Sequence, residues 1–282
     1  MRSLILCLSL LACGNKHQPV NATQDMLAEV SARVAQLKPF APVCEGFVSK
    51  QNCDQGDAML FSGLLCMAGN KLGCDTARGA ISESGKVWRS PKAVNNDTPN
   101  SSSRDMLLGA MAYFVGSKDV EALERVTAYV RQTGKICEDA TDGRCNMTAN
   151  TRDLLDQVRA FNGLSTAQSR KGYSEALALT ATTAADGYEL HLVAIQLLIL
   201  KRTGTWNATL QYAAQELVKR QGRNALFEFV AHGKSAHYAE LMLAQVPDAV
   251  PAQMNQWSFE RRDNQEAWKS SMIWEFVFVD GL

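Results

Sequence analysis

This sequence lacks an excess of either charge. Among its 282 residues, 29 are Lys or Arg and 29 are Asp or Glu, so the formal net charge is zero. Binding to nucleic acid needs surplus cations that neutralise phosphates, and this composition predicts no nucleic-acid partner. The chain also lacks an apolar run of the roughly 20 residues that cross a bilayer. It is instead typical of a globular protein, at 46% hydrophobic and 21% charged residues.

Several signatures of chemistry are missing as well. The sequence has no Gly-rich phosphate loop, no Gly-x-Ser-x-Gly elbow, no His-Glu-x-x-His pair and no catalytic Cys/His signature. It has no CxxC spacing, and none of its four histidines lies near the six cysteines from Cys44 onward in sequence. The acidic segment 138–142 lacks the spacing of a calcium-binding loop. The sequence therefore predicts neither a metal site nor a cofactor.

The N-terminus is typical of an export signal. One arginine precedes the short apolar run at residues 4–12, and the run ends at Cys13. Leu10-Leu11-Ala12-Cys13 resembles the lipobox of bacterial lipoproteins, in which the cysteine is acylated and anchors the protein to a membrane. We therefore expect a signal peptide over 1–12 and a lipidated tether over 13–22. An ordinary secretory signal is the alternative, and the expected location is the cell envelope, at the outer membrane facing the periplasm or the surface.

Six further cysteines lie in the exported part, and their even number suggests disulfides. Fifteen pairings are open to six cysteines. Pairing between close neighbours is the simplest, because each such pair brackets a short polar segment. The predicted pairs are Cys44 with Cys53, Cys66 with Cys74, and Cys137 with Cys145.

The rest of the chain predicts helices and hardly any strand. Apolar residues recur at helical spacing, and strongly apolar helices tend to alternate with amphipathic ones. We predict an all-α protein with a single helical domain over 23–282, arranged as an (α/α) toroid-like barrel of paired inner and outer helices. An open helical solenoid would show the same alternation. The expected helices cover 23–37, 58–68, 74–82, 104–115, 119–133, 151–161, 174–185, 186–200, 205–219, 224–231, 235–244 and 264–274, with 276–279 as the end of the last helix or one short strand.

Acidic residues stand at the entrances of several apolar helices, among them Asp57, Asp105, Glu189 and Glu260. In a toroid the inner helices run parallel, so these carboxylates are expected to converge on one cleft. Stabilisation of each helix N-terminus is the alternative role of such acids. Polar and aromatic residues of the kind that line sugar sites accompany them, and the predicted binding residues are Trp88, Arg89, Arg104, Tyr188, His191, Trp257 and Asp263.

Cleavage of a glycosidic bond needs two carboxyl groups, one acting as acid and one as base or nucleophile. Asp57 and Asp105 are the first candidates for this pair, with Glu260 as a further catalytic acid. A polysaccharide lyase would instead use His191 or Tyr188 as the base. For His191, a hydrogen-bonded place in the core is an equally good interpretation.

Five short tracts carry a family resemblance: GDAMLF at 56–61, WRSP at 88–91, SRDM at 103–106, HLV at 191–193 and QWSFER at 256–261. Together they resemble uncharacterised bacterial envelope lipoproteins and, more distantly, (α/α)-toroid glycoside hydrolases and polysaccharide lyases. The resemblance spans about residues 54–274 and implies the toroid more firmly than catalysis. The predicted function is cleavage of a carbohydrate polymer. The alternatives are a non-catalytic lipoprotein that binds glycan or an envelope protein, and a scaffold that organises surface machinery.

Overall fold

A computed structural model of the chain describes residues 19–96, 101–137, 143–165, 172–254 and 271–282. The prediction of an all-α protein is confirmed over these residues. Within them, the strands form one short hairpin of β1 (Val43–Cys44) and β2 (Phe47–Val48), with Val43 opposite Val48. The helices are α1 (Pro19–Leu37), α2 (Ala58–Met67), α3 (Lys71–Gly79), α4 (Arg104–Ser117), α5 (Val120–Thr133), α6 (Ala149–Phe161), α7 (Tyr173–Thr183), α8 (Tyr188–Arg202), α9 (Ala208–Arg220), α10 (Ala225–His232), α11 (Ala236–Gln245) and α12 (Ile273–Gly281).

Side-chain caps mark where many of these helices begin. In each case a polar side chain accepts a hydrogen bond from a backbone N–H of the first turn, which would otherwise lack a partner. Such a cap stabilises a helix by about 1 kcal/mol. The capping residues are Asn70, Asp119, Thr148, Asn207, Asn224 and Ser235.

Several helices differ from the sequence prediction at their ends, and α1 and α12 are two of them. Helix α1 begins at Pro19, inside the expected tether, because proline is well suited to the first turn of a helix. The strand alternative for 276–279 is wrong, since these residues lie in α12. The side chain of Glu275 accepts a hydrogen bond from the backbone N–H of Met272 at 2.6 Å and so starts this helix. Residues 264–270 of the last predicted helix lie outside the described residues.

The core is built around helices that are apolar on nearly every side. All ten residues of α2 are buried, as are most residues of α4 and α8. Helix α2 packs against α3, α4 and α12, while α4 also packs against α6 and α8. Helices α5, α6 and α9 each bury one face and expose the other. None of the helices in the described part of the chain is long and apolar enough to span a membrane.

Three disulfides close short segments, and they are the pairs predicted from the sequence. The Cα atoms are 5.2 Å apart in Cys44–Cys53, 4.5 Å in Cys66–Cys74 and 4.9 Å in Cys137–Cys145. Distances of this size are normal for disulfides. The second bond ties α2 to α3, where Gly73 lies against Leu65 and Ser62.

Candidate functional site

Helices α2 and α4 run parallel in very close contact. A Cβ atom on Gly63 would lie 1.9 Å from the carbonyl oxygen of Gly109, and one on Gly116 would lie 2.5 Å from that of Cys66. Residues later in α2 thus contact residues later in α4, which shows that the two helices share one direction. Their N-termini, at Ala58 and Arg104, therefore lie at the same end of the core.

Asp57 stands at the entrance of α2, but its side chain does not cap the helix. Its backbone has φ 62°, in the left-handed region, and its carboxylate pairs with the guanidinium of Arg89. The backbone of Arg89 accepts a hydrogen bond from Met59 N–H at 2.8 Å and donates one to Ser101 at 2.7 Å. The loop before α4 is thereby attached to the entrance of α2, and the predicted neighbours Asp57 and Arg89 are brought together.

Asp105 lies in the first turn of α4 and contacts α8. The hydroxyl of Tyr188 donates a hydrogen bond to Oδ2 of Asp105, and Ser103 Oγ is 3.5 Å from the same oxygen. Tyr188 is the first residue of α8. Two of the predicted helix entrances, those of α4 and α8, therefore meet.

A cleft of about 510 Å³ opens beside this contact, between α4, α6, α7 and α8. Its charged residues are Asp105, Glu189 and the exposed Arg104. Leu108, Leu154, Leu177, Leu192 and Val193 supply apolar surface. The remaining polar residues of the lining are Thr148, Thr151, Thr180, Thr183, Asn150 and Gln196.

Glu189 is held in place by the turn before α8. Its Oε2 accepts a hydrogen bond from the backbone N–H of Ala185 at 2.7 Å, and its side chain is exposed. Thr180 and Thr183 donate their hydroxyl hydrogens to carbonyl oxygens of α7, so each hydroxyl oxygen can still accept a hydrogen bond. Among the described residues, the cleft therefore offers many acceptors, two of them carboxylates, and one guanidinium donor at Arg104.

Two predicted binding residues lie in the interior and not in the lining of this cleft. Trp88 is buried, and Nζ of Lys86 lies 4.2 Å from the centre of its ring. His191 is fully buried, and its ring stacks on that of Phe61 with 5.9 Å between the ring centres. These positions agree with a role in packing the loop and the core.

Some predicted residues lie outside the described part of the chain. These are Trp257, Glu260 and Asp263 of the predicted site, and Cys13, the predicted position of lipidation. Among the side chains that are described, no group of three His, Cys, Asp or Glu residues has the arrangement of metal ligands.

The polar lining from α6 and α7 was not singled out from the sequence. Thr148 and Thr151, like Thr180 and Thr183, are three positions apart, a spacing that places two side chains on one face of a helix. This is a weak signal, because threonine at such spacing is common on any solvated helix. Only the packing of α6 beside α4, and of α7 beside α6 and α8, brings these threonines to the same cleft as Asp105.

Comparison with family models, curated proteins and solved structures finds no match for this chain.

Proposed function

We propose that this chain is an envelope lipoprotein that binds a carbohydrate chain in the cleft between α4, α6, α7 and α8. The observation that supports this best is the combination of acceptors and apolar surface in one cleft. Sugar hydroxyls donate to carboxylates, amides and threonine oxygens, while the C–H faces of a sugar ring pack on leucine side chains. At about 510 Å³ the cleft has the size of a typical ligand site.

Cleavage of the bound glycan is the second candidate function. It is favoured by the two carboxylates that line one cleft, because a glycosidase needs such a pair. We propose Asp105 and Glu189 as this pair, with Asp57 and Glu260 as the further candidates from the sequence. Asp57 is less suited, since its carboxylate pairs with Arg89.

The toroid belongs to the same proposal. Parallel α2 and α4, followed by α8 beside α4, are the arrangement expected of inner helices in an (α/α) ring. The amphipathic helices α5, α6 and α9 suit the outer layer. The proposal also includes membership of a family of bacterial envelope lipoproteins that is distantly similar to toroid hydrolases and lyases.

Export and lipidation are proposed from the N-terminal sequence and from the three disulfides, which persist in oxidising compartments. Replacing Cys13 with serine removes the thiol that carries the lipid. We expect the Cys13→Ser protein to leave the membrane fraction for the soluble fraction after cell lysis. Membrane association equal to that of the wild type would refute the anchor while leaving the glycan site untouched.

Binding by the purified full chain to peptidoglycan and to soluble neutral and acidic polysaccharides tests the function. We compare Asp105→Asn and Glu189→Gln, which keep an acceptor oxygen, with the exposed acid variant Asp248→Asn as control. Loss of a charged hydrogen-bond acceptor should weaken binding about tenfold in each cleft variant. If the wild type releases new reducing ends from the glycan and neither cleft variant does, the protein also cleaves the glycan that it binds.

The proposal fails if no glycan is bound, or if the wild type and the cleft variants bind equally. A circular dichroism spectrum equal to that of the wild type would show that a variant with weaker binding is still folded. Failure of the glycan site would favour the alternative of a helical scaffold for an envelope protein.

A further inference from the structure

A second pocket, of about 350 Å³, lies between the end of α5 and the start of α6. Apolar side chains of Val130, Met147 and Leu155 line part of it. The charged residues of its lining are Arg131, Arg152 and Asp156. The glycan cleft uses other residues of α6, among them Thr151 and Leu154, so the two sites are distinct.

Arg131 and Arg152 are exposed, and neither makes an ion pair or a side-chain hydrogen bond in the described part of the chain. Other arginines of the molecule do pair, as Arg220 does with Asp186 at 2.6 Å. Among the described residues, Asp156 is the one carboxylate in the lining, and it lies 3.7 Å from Arg159. The described part of the lining thus carries two positive charges against one negative charge.

Two guanidinium groups at one pocket repel each other, and a bound anion relieves this repulsion. Guanidinium forms paired hydrogen bonds with phosphate and carboxylate oxygens, which makes arginine the preferred side chain for these groups. Arg152 also lies in the first turn of α6, where the helix dipole favours negative charge. The apolar part of the lining suits a ligand that carries an apolar portion next to its charged group.

We infer that this pocket, with Arg131 and Arg152 as the binding residues, holds a phosphate or carboxylate group carried on a partly apolar molecule. Thr127 forms part of the wall, and its hydroxyl already donates to the carbonyl oxygen of Leu123 at 2.7 Å. The two arginines therefore supply the donors. A lipid headgroup and a free organic phosphate share this chemistry.

Titration of the full chain with n-hexyl phosphate, followed by calorimetry and by amide NMR shifts, tests the inference. Sodium chloride at equal ionic strength controls for screening. We expect a dissociation constant of about 1 mM or tighter and shifts at Arg131, Gly134 and Arg152. Each of Arg131→Gln and Arg152→Gln should weaken binding at least about fivefold, and the double variant should abolish it.

Arg223→Gln is the matched control, because Arg223 is also exposed and also lacks an ion pair among the described residues. Vesicles of phosphatidylglycerol, compared with phosphatidylcholine, separate the two sources. If the wild type binds the anionic vesicles and the double variant does not, the ligand is a lipid headgroup. If the wild type binds hexyl phosphate but not the vesicles, the ligand is a free organic anion. The inference is overturned if the wild type binds neither probe, or if the Arg223→Gln and double variants bind equally.

Discussion

The hydroxyl of Tyr188 donates a hydrogen bond to Oδ2 of Asp105, although the two residues are 83 positions apart in sequence. The bond joins the first residue of α8 to the first turn of α4 at one edge of the proposed glycan cleft. It also limits the orientations of the Asp105 carboxylate, to which Ser103 donates a long hydrogen bond of 3.5 Å.

Removing this hydroxyl should therefore affect the cleft more than the fold. We expect Tyr188→Phe to weaken glycan binding about fivefold, because the Asp105 carboxylate loses the hydroxyl group that donates a hydrogen bond to it. The free energy of unfolding should change by less than about 1 kcal/mol, since Tyr188 is 40% exposed. Tyr212→Phe, on α9 and 49% exposed, is the control and should bind as the wild type does. Equal binding by the Tyr188 and Tyr212 variants would contradict the role of Tyr188.

The contact of Gly63 with Gly109 should be intolerant of any side chain. In Gly63→Ala the new Cβ would lie 1.9 Å from the carbonyl oxygen of Gly109, and backbone cannot move away as a flexible side chain can. We expect a loss of about 3 kcal/mol or more in the free energy of unfolding, measured by urea denaturation. In Gly222→Ala the nearest atom is 3.4 Å away, so that variant should lose far less. Similar losses in the two variants would refute the close parallel packing of α2 and α4.

The disulfide between Cys66 and Cys74 should contribute measurably to stability. It closes a loop with a sequence separation of 8, for which the chain-entropy model gives about 2.5 kcal/mol. The double variant Cys66→Ala/Cys74→Ala should therefore unfold at a lower urea concentration than the wild type. Peptide mapping of the unreduced wild type should recover the three local pairs, and any peptide joining cysteines of two different pairs would contradict this arrangement.

Asp119 should make stability depend on pH. Burial alone would raise the pKa of its carboxyl, but the hydrogen bonds from Tyr113 and from the Ala122 N–H, with the charge of Arg78, outweigh burial and lower the pKa below 3.8. The ionised form is therefore favoured in the folded state. Its stabilisation is complete well above pH 3.8 and is lost as the pH falls through the lower folded-state pKa.

Asp119→Asn keeps a side-chain oxygen that can cap α5 but removes the charge. We expect it to unfold about 1 kcal/mol more easily than the wild type at pH 7, with a difference that shrinks below about pH 4. Asp248→Asn, at an exposed acid, should show no such trend. A difference for Asp119→Asn that stays constant from pH 7 to pH 3 would show that the charge is not responsible.

Much of the secondary structure follows from the sequence, because helix formation depends on signals within a few residues. The apolar runs of α2, α4 and α8 and the caps Asp119 and Asn224 are all of this local kind. The three disulfides were predictable for the same reason, since each joins cysteines separated by only 8 or 9 positions.

The last helix marks the limit of that reasoning. Phe276-Val277-Phe278-Val279 is rich in residues that favour strands, yet it forms part of α12. Tertiary contacts override the local preference: Phe276 and Phe278 are buried, and the Tyr238 hydroxyl donates to the carbonyl oxygen of Val279 at 2.7 Å.

The sequence by itself therefore determined the helical class, the local disulfides and the presence of acids at helix entrances. Only the tertiary structure decided which of those acids meet. Asp57 pairs with Arg89, whereas Asp105 joins Tyr188 and shares a cleft with Glu189. The physical reason is that helix packing follows from contacts such as that of Gly63 with Gly109, which join distant segments and leave no periodic trace in either one.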